Sequence, residues 1–137
     1  MCKQRDIILI DSYQSHGCLL SQHSFVVIDD QGGQIRSVPY DLMCLVLSSF
    51  KDPTQKARKL RYPGNLPVPV TDVSVPGGNS KEGYIKADQF YYFQKDNINY
   101  TVIGSMTEEM FDKLVDSIEE SDFEIEEITD NLQPTMV

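Results

Sequence analysis

The chain has few cysteines and no long apolar run, and each shortage excludes a class of protein. Three cysteines in 137 residues are too few, and odd in number, for a disulfide framework, so we expect reduced thiols in a cytoplasmic protein. The longest apolar run covers residues 42–47, whereas a membrane-spanning helix needs about 20 apolar residues. The apolar run near the N-terminus, residues 7–10, is too short for a secretory signal. We therefore expect no membrane association.

Charge is distributed unevenly along the chain. The net charge is −9, and eleven acids against one base between residues 106 and 130 account for it. Between residues 51 and 61, five bases accompany a single acid. The overall acidity argues against a general nucleic-acid coat protein but permits a local RNA site. The basic stretch is either a solvated loop that balances the acidic segment or a loop that follows a phosphodiester backbone, with Tyr62 stacking on a base.

The pattern of apolar residues predicts short strands followed by one helix. Apolar and β-branched runs predict strands over residues 6–10, 24–28, 43–47, 84–93 and 100–103. Residues 13–22 and 76–81 are polar or glycine-rich and predict loops, and the alternation over 70–75 is too weak to assign a face. These elements indicate a mainly β domain with α structure, a small bent barrel capped by a helix.

The helix is predicted over residues 105–120. Ser105 and Glu108 have the spacing of a capping box, and one apolar stripe follows at Met110, Phe111, Leu114 and Ile118. Residues 122–128 change period and either extend the helix or form an arm, while 131–137 predict a frayed end. We therefore divide the chain into a domain over residues 1–121 and an acidic C-terminal extension or tail over 122–137.

Two kinds of side chain are candidates for chemistry. His16 and His23 sit in or beside one predicted loop, where they are either a pair of acid–base groups or exposed polar residues. Ser48 and Ser49 end a buried strand, where their hydroxyls either donate to phosphate oxygens or cap the strand. Cys18 lies between the histidines, but no further ligand stands at a recognisable spacing, so we expect no metal site.

Read in order, several segments resemble the MazF/PemK family of toxin endoribonucleases from toxin–antitoxin pairs. The segments are DIILI at 6–10, QHSFVVI at 22–28, LVLSS at 45–49, YIKADQF at 84–90 and IGSMTEEM at 103–110. The resemblance spans about residues 6–120. When the segments are matched to the family in this way, His23 stands where the family has a catalytic arginine, and Ser48 stands where the family has a threonine. Histidine loses the bidentate phosphate contact of arginine and gains a proton exchangeable near neutral pH.

The resemblance implies a small SH3-like bent β-barrel, a symmetric homodimer, a cognate antitoxin as protein partner and no cofactor. It also implies metal-independent cleavage of single-stranded RNA, in which a ribose 2′-hydroxyl attacks the adjacent phosphate. His23 would be the base or acid, His16 its partner, and Ser48 a donor to the phosphate. The residues expected to bind RNA are Ser49, Lys51, Lys56, Arg58, Lys59, Arg61, Tyr62, Asp88 and Gln89.

A second interpretation is a catalytically inactive relative that serves as a protein- or nucleic-acid-binding module. The missing arginine and the acidic C-terminal segment favour this inactive relative. The two histidines, Ser48 and the basic stretch favour the enzyme. The sequence leaves both open.

Overall fold

The computed structural model describes residues 2–69, 73–74 and 82–132 of the chain. The described ranges contain eleven strands, two α-helices and one 3-10 turn. In chain order they are β1 (Asp6–Ser15), β2 (Cys18–Asp29), β3 (Gly33–Ile35), β4 (Val38–Tyr40), β5 (Leu42–Ser49), α1 (Pro53–Lys59), β6 (Asn65–Val68), β7 (Val73–Ser74), β8 (Gly83–Lys86), β9 (Gln89–Phe93), the 3-10 turn (Lys95–Asn97), β10 (Tyr100–Met106), α2 (Glu108–Glu119) and β11 (Glu126–Ile128).

Nine of the described strands form one sheet with the order β11-β9-β5-β2-β1-β10-β7, and β8 and β6 branch from β5. The predicted mainly β architecture with α structure is confirmed. Within the described ranges the two outermost strands of this order, β11 and β7, do not pair with each other. The sheet is therefore not closed into the expected barrel. The branch arises because β5 changes partner along its length, pairing with β9 at Leu42–Cys44 and with β8 at Leu47–Ser49.

Strands β1 and β2 form a long hairpin, so the prediction of a loop over residues 13–22 is wrong. Their backbones pair from Ile7↔Val26 to Ser15↔Cys18. The turn consists of His16 and Gly17, both with positive φ, as a type I′ turn requires. The polar composition misled the prediction because the first half of β2 exposes its side chains on both faces.

The sheet carries buried apolar residues on both faces. One cluster includes Ile8, Ile10, Phe25, Val27 and Phe93. The other lies under α2, and there Met110, Phe111 and Leu114 are buried as predicted, with Ile118 partly buried beside them.

The predicted cap of the C-terminal helix is wrong by two residues. Thr107 is the N-cap, and its hydroxyl accepts from the backbone N–H of Met110 at 3.2 Å. Ser105 cannot cap the helix because it pairs with Asp6 as part of β10. No helix within the described ranges is long and apolar enough to cross a membrane.

The acidic segment after α2 forms neither a continued helix nor a free arm. Residues Glu126–Ile128 make β11, which pairs in parallel with β9, and Ile128 is buried in the first apolar cluster. The predicted loop over 76–81 lies outside the described residues, as do all of the 70–75 segment except β7 and all of the predicted frayed end except residues 131–132.

Candidate functional site

Strand pairing brings His23 and Ser48 together. Strands β2 and β5 are antiparallel with Ser24 opposite Leu47, so the next residues outward along both strands are His23 and Ser48. The Nε2 atom of His23 lies 2.9 Å from the hydroxyl oxygen of Ser48. Strands β2 and β5 pair from Ser24 to Asp29 but not at His23, so His23 and Ser48 lie where the two strands separate.

His23 is half-buried against the aromatic part of the first apolar cluster. Its ring makes edge contacts with Tyr13 and Phe25, at centroid distances of 6.4 and 6.2 Å. Burial is the larger cause that lowers the pKa of the His23 imidazole from its ordinary value of 6.5, and the positive charge of Lys86 is the smaller cause. The ring is therefore mainly neutral at pH 7 and keeps one nitrogen able to accept a proton.

His23 and Ser48 line a cleft of about 380 Å³, which we call the central cleft. Its other lining residues include Ser49, Lys51 and Lys59. Among the described residues, the ion pairs are His16–Glu126 and Lys56–Glu82, so neither Lys51 nor Lys59 is neutralised by an acid. A neutral imidazole, hydroxyl groups and unpaired ammonium groups together suit an anionic substrate that exchanges a proton.

A second cleft of about 220 Å³ adjoins the central cleft, and Lys59 lines both. We call it the side cleft. Its other lining residues are Tyr62, Asn65, Lys86, Asp88 and Gln89. Of these, Tyr62, Asp88 and Gln89 were predicted from the sequence to bind RNA, and the fold brings them together. Lys86 and Asn65 were missed, although Lys86 lies within the YIKADQF segment that carries the resemblance.

The position of Lys59 depends on helix α1, which the sequence analysis did not predict. Asp52 caps this helix by accepting from the backbone N–H of Gln55, and Pro53 occupies its first turn. An Asp-Pro pair before a short polar run is a recognised helix start, and it was the signal available.

The remaining predicted cations are less suited to hold RNA at the central cleft. Lys56 is paired with Glu82 in a further depression beside Phe50, and it does not line the central cleft. Arg58 and Arg61 are exposed and line none of these three cavities. The fold thus separates the basic stretch into cations that face the clefts and cations that do not.

His16 lies far from His23, in the hairpin turn. About 17 Å of strand separates Cys18 from His23, at roughly 3.3 Å per residue. The Nδ1 atom of His16 lies 3.0 Å from the hydroxyl oxygen of Ser15, and Nε2 lies 2.8 Å from Glu126. The structure therefore does not bring the two histidines together, and the partner of His16 is an acid in β11 that the sequence analysis did not single out.

Within the described ranges, no group of three or more His, Cys, Asp or Glu side chains is placed to hold a metal ion. Cys18 is exposed at the start of β2.

Comparisons with known proteins do not assign the chain to a family. No model of a known protein family matches the chain, and no curated protein matches it either. The MazF/PemK resemblance therefore stays a prediction.

Proposed function

We propose that the chain is a toxin-like endoribonuclease of the MazF/PemK type that cleaves single-stranded RNA without a metal. The observation that carries this proposal is the contact between His23 and Ser48 in a cleft with unpaired lysines. A half-buried imidazole with a lowered pKa is the group needed to remove a proton from a ribose 2′-hydroxyl.

The proposed reaction uses one imidazole for both proton transfers. When RNA binds, the 2′-hydroxyl displaces the Ser48 hydroxyl from Nε2 of His23, and Ser48 donates to a nonbridging phosphate oxygen. The 2′-oxygen attacks phosphorus while its proton passes to Nε2, and the bond from phosphorus to the 5′-oxygen breaks. The imidazolium then donates its proton to that oxygen, which leaves a 2′,3′-cyclic phosphate and a 5′-hydroxyl.

Electrostatics supports this cycle. The same burial that keeps the imidazole neutral makes the imidazolium a stronger acid than an ordinary histidine, which favours the second transfer. Lys51 and Lys59 stabilise the negative charge that grows on the phosphate, since hydrogen bonds and cations aimed at developing charge are a large catalytic factor.

The test is incubation of the purified chain with a long single-stranded RNA in EDTA. We expect fragments that carry a 5′-hydroxyl and a cyclic phosphate, detected by direct labelling of the new 5′ end without prior phosphatase treatment. The matched controls are His23→Ala, in which we expect cleavage to fall by about 10²-fold or more, and a preparation of the same chain unfolded by heat. Fragments with 5′-phosphates, or equal cleavage by His23→Ala, would contradict the proposal.

A second candidate is a binding module without catalysis. It is favoured by the position of His16, because the expected second proton-transfer group is held by Glu126 away from the central cleft. The RNA assay separates the two candidates, since a module would leave RNA intact whether it binds a protein or a nucleic acid.

The partners that accompany this proposal are a cognate antitoxin and a second copy of the chain, in the cytoplasm. Light scattering at micromolar concentration tests the dimer, for which we expect twice 15.6 kDa. A monomer mass would contradict it and leave the RNA chemistry as a separate question.

A further inference from the structure

We propose that the side cleft binds the base of a guanine nucleotide next to the scissile phosphate in a single strand of RNA. This inference rests on the proposed function, which places a single strand of RNA in the central cleft. The same RNA strand would continue from there into the side cleft. Lys59 lines both clefts, so a nucleotide whose phosphate lies at Lys59 can place its base in the side cleft.

The side cleft is lined by Asp88, whose backbone is anchored and whose carboxylate has no partner among the described residues. The backbone carbonyl of Asp88 accepts from Glu126 N–H at 2.8 Å, which anchors the residue to β11. Its side chain lies against Gly64, where a Cβ atom would approach an Asp88 carboxylate oxygen to 2.7 Å. Within the described ranges, no hydrogen bond or ion pair satisfies this carboxylate. Gly64 therefore makes room for a carboxylate that faces an open cleft.

The chemistry of a carboxylate selects guanine among the four bases. An ionised carboxylate only accepts hydrogen bonds, through two oxygens side by side. The Watson–Crick edge of guanine offers two adjacent donors, the N1–H and the N2 amine, whereas adenine, cytosine and uracil each offer one donor beside an acceptor. Proteins that read single-stranded RNA commonly use this edge of an unstacked base.

The surroundings of Asp88 suit the rest of the nucleotide. Tyr62 is 60% exposed at the cleft, so its ring is available to stack on a base, a contact that tolerates every base. The Gln89 amide lies on the same wall, and its nitrogen is 3.5 Å from Glu126, a long contact that leaves it able to turn toward the base. Lys59 and Lys86 supply positive charge for the phosphates.

The experiment measures binding without cleavage. The probes are fluorescent 2′-fluoro RNA hexamers of uridine that carry one guanosine, inosine, adenosine or cytidine, read by anisotropy. We expect the guanosine probe to bind about 10- to 100-fold tighter than the adenosine and cytidine probes, the discrimination typical of a bidentate contact. The inosine probe, which lacks the N2 amine, should fall between them. Equal affinity for all probes would overturn the inference.

Variants assign the preference to named residues. Asp88→Asn replaces one acceptor by a donor and should reduce the guanine preference to about 3-fold or less. The matched control Asp96→Asn changes an exposed aspartate in the 3-10 turn and should leave the preference intact. Tyr62→Ala should weaken binding of every probe alike, and Tyr62→Phe should restore it. A full guanine preference in Asp88→Asn would overturn the assignment to this residue.

Two further outcomes separate this inference from others. Free guanosine monophosphate should compete only at concentrations at least about 10-fold above those of the guanosine hexamer, because it makes no contacts along the central cleft. Equal potency would overturn the assignment to a strand. If RNA is cleaved without guanine preference, the inference fails while the proposed function stands. If the hexamers show the preference but the chain cuts no RNA, the proposed function fails instead.

Discussion

The two histidines of the β1–β2 hairpin lie in different parts of it, His16 in the turn and His23 in the middle of β2, and they have different neighbours. His23 is half-buried beside the Ser48 hydroxyl, in a cleft with unpaired lysines. His16 is 57% exposed in the turn beside the Glu126 carboxylate. Both ring nitrogens of His16 are engaged, by Ser15 and Glu126, whereas Nε2 of His23 faces an exchangeable hydroxyl. Two residues of the same type therefore have different chemical environments, because different segments of the chain pack beside them.

The largest expected effect is the difference between the two alanine substitutions. His23→Ala should reduce the cleavage rate by about 10²- to 10⁴-fold, the range for loss of a general base. His16→Ala should leave the rate within about 3-fold, because His16 lies outside the central cleft. Single-turnover cleavage of RNA in EDTA measures both. A loss of more than about 100-fold in His16→Ala would reverse the comparison.

The two neighbouring serines beside His23 should differ in their effect on cleavage. Ser48→Ala should reduce the single-turnover rate by about 10²-fold, as expected for a lost donor to the transition-state phosphate. Ser49→Ala is the matched control, since Ser49 lines the same cleft without contacting His23, and it should cost less than about 5-fold. Equal losses would show that the His23–Ser48 contact has no special role.

The pH dependence tests the environment of His23. As a base His23 must be neutral, so the rate should fall as the pH decreases through its lowered pKa, below 6.5. Lys86→Gln removes a cause of the lowering, so the pKa should rise toward 6.5 and the acidic limb of the profile should move to higher pH. Lys86→Arg keeps the charge and should leave the limb in place. A limb that moves equally in both variants would contradict this account.

The lowered pKa of His23 also predicts a change in stability that needs no RNA. Below pH 6.5 the unfolded chain binds a proton at His23 that the folded chain resists, so the free energy of unfolding should decrease as the pH falls. His23→Gln should lose this part of the pH dependence. Urea unfolding of both proteins between pH 5 and 8 measures the difference. Parallel curves would show that burial does not lower the pKa of His23.

The smallest effects are expected at the turn, where the C-terminal segment holds the hairpin. The Asn131 side chain accepts from Gln14 N–H at 2.7 Å and donates to the Gln14 carbonyl at 3.0 Å, so Asn131→Ala should cost about 1–2 kcal/mol of unfolding free energy. His16→Gln breaks an exposed ion pair and should cost less than about 1 kcal/mol. Urea unfolding measures both. A larger loss for His16→Gln would show that the turn depends on the ion pair.

Several features of the fold follow from local pattern. The apolar stripe of α2 was predicted because helical spacing is visible in the sequence itself, and Met110, Phe111 and Leu114 are buried. Parts of the central strands β2 and β5 were also predicted, because each contains a run of apolar residues. The family resemblance implied that His23 and Ser48 act on the same phosphate, but it is the register between β2 and β5 that places their atoms 2.9 Å apart.

The class of fold, the buried face of the helix, the uneven charge and the short list of residues able to carry chemistry all follow from the order of amino acids. Which of those residues contact one another depends on the folded arrangement of the strands. Lys51 and Lys59 line the central cleft, whereas Arg61 is exposed and does not line it. Of these three cations, only Lys59 belongs to α1. Glu126 lies beside His16 because β11 pairs with β9. In that pairing Glu126 is opposite Gln89, which is 37 residues earlier in the chain. Contacts between distant segments depend on strand order and register, which local periodicity does not encode.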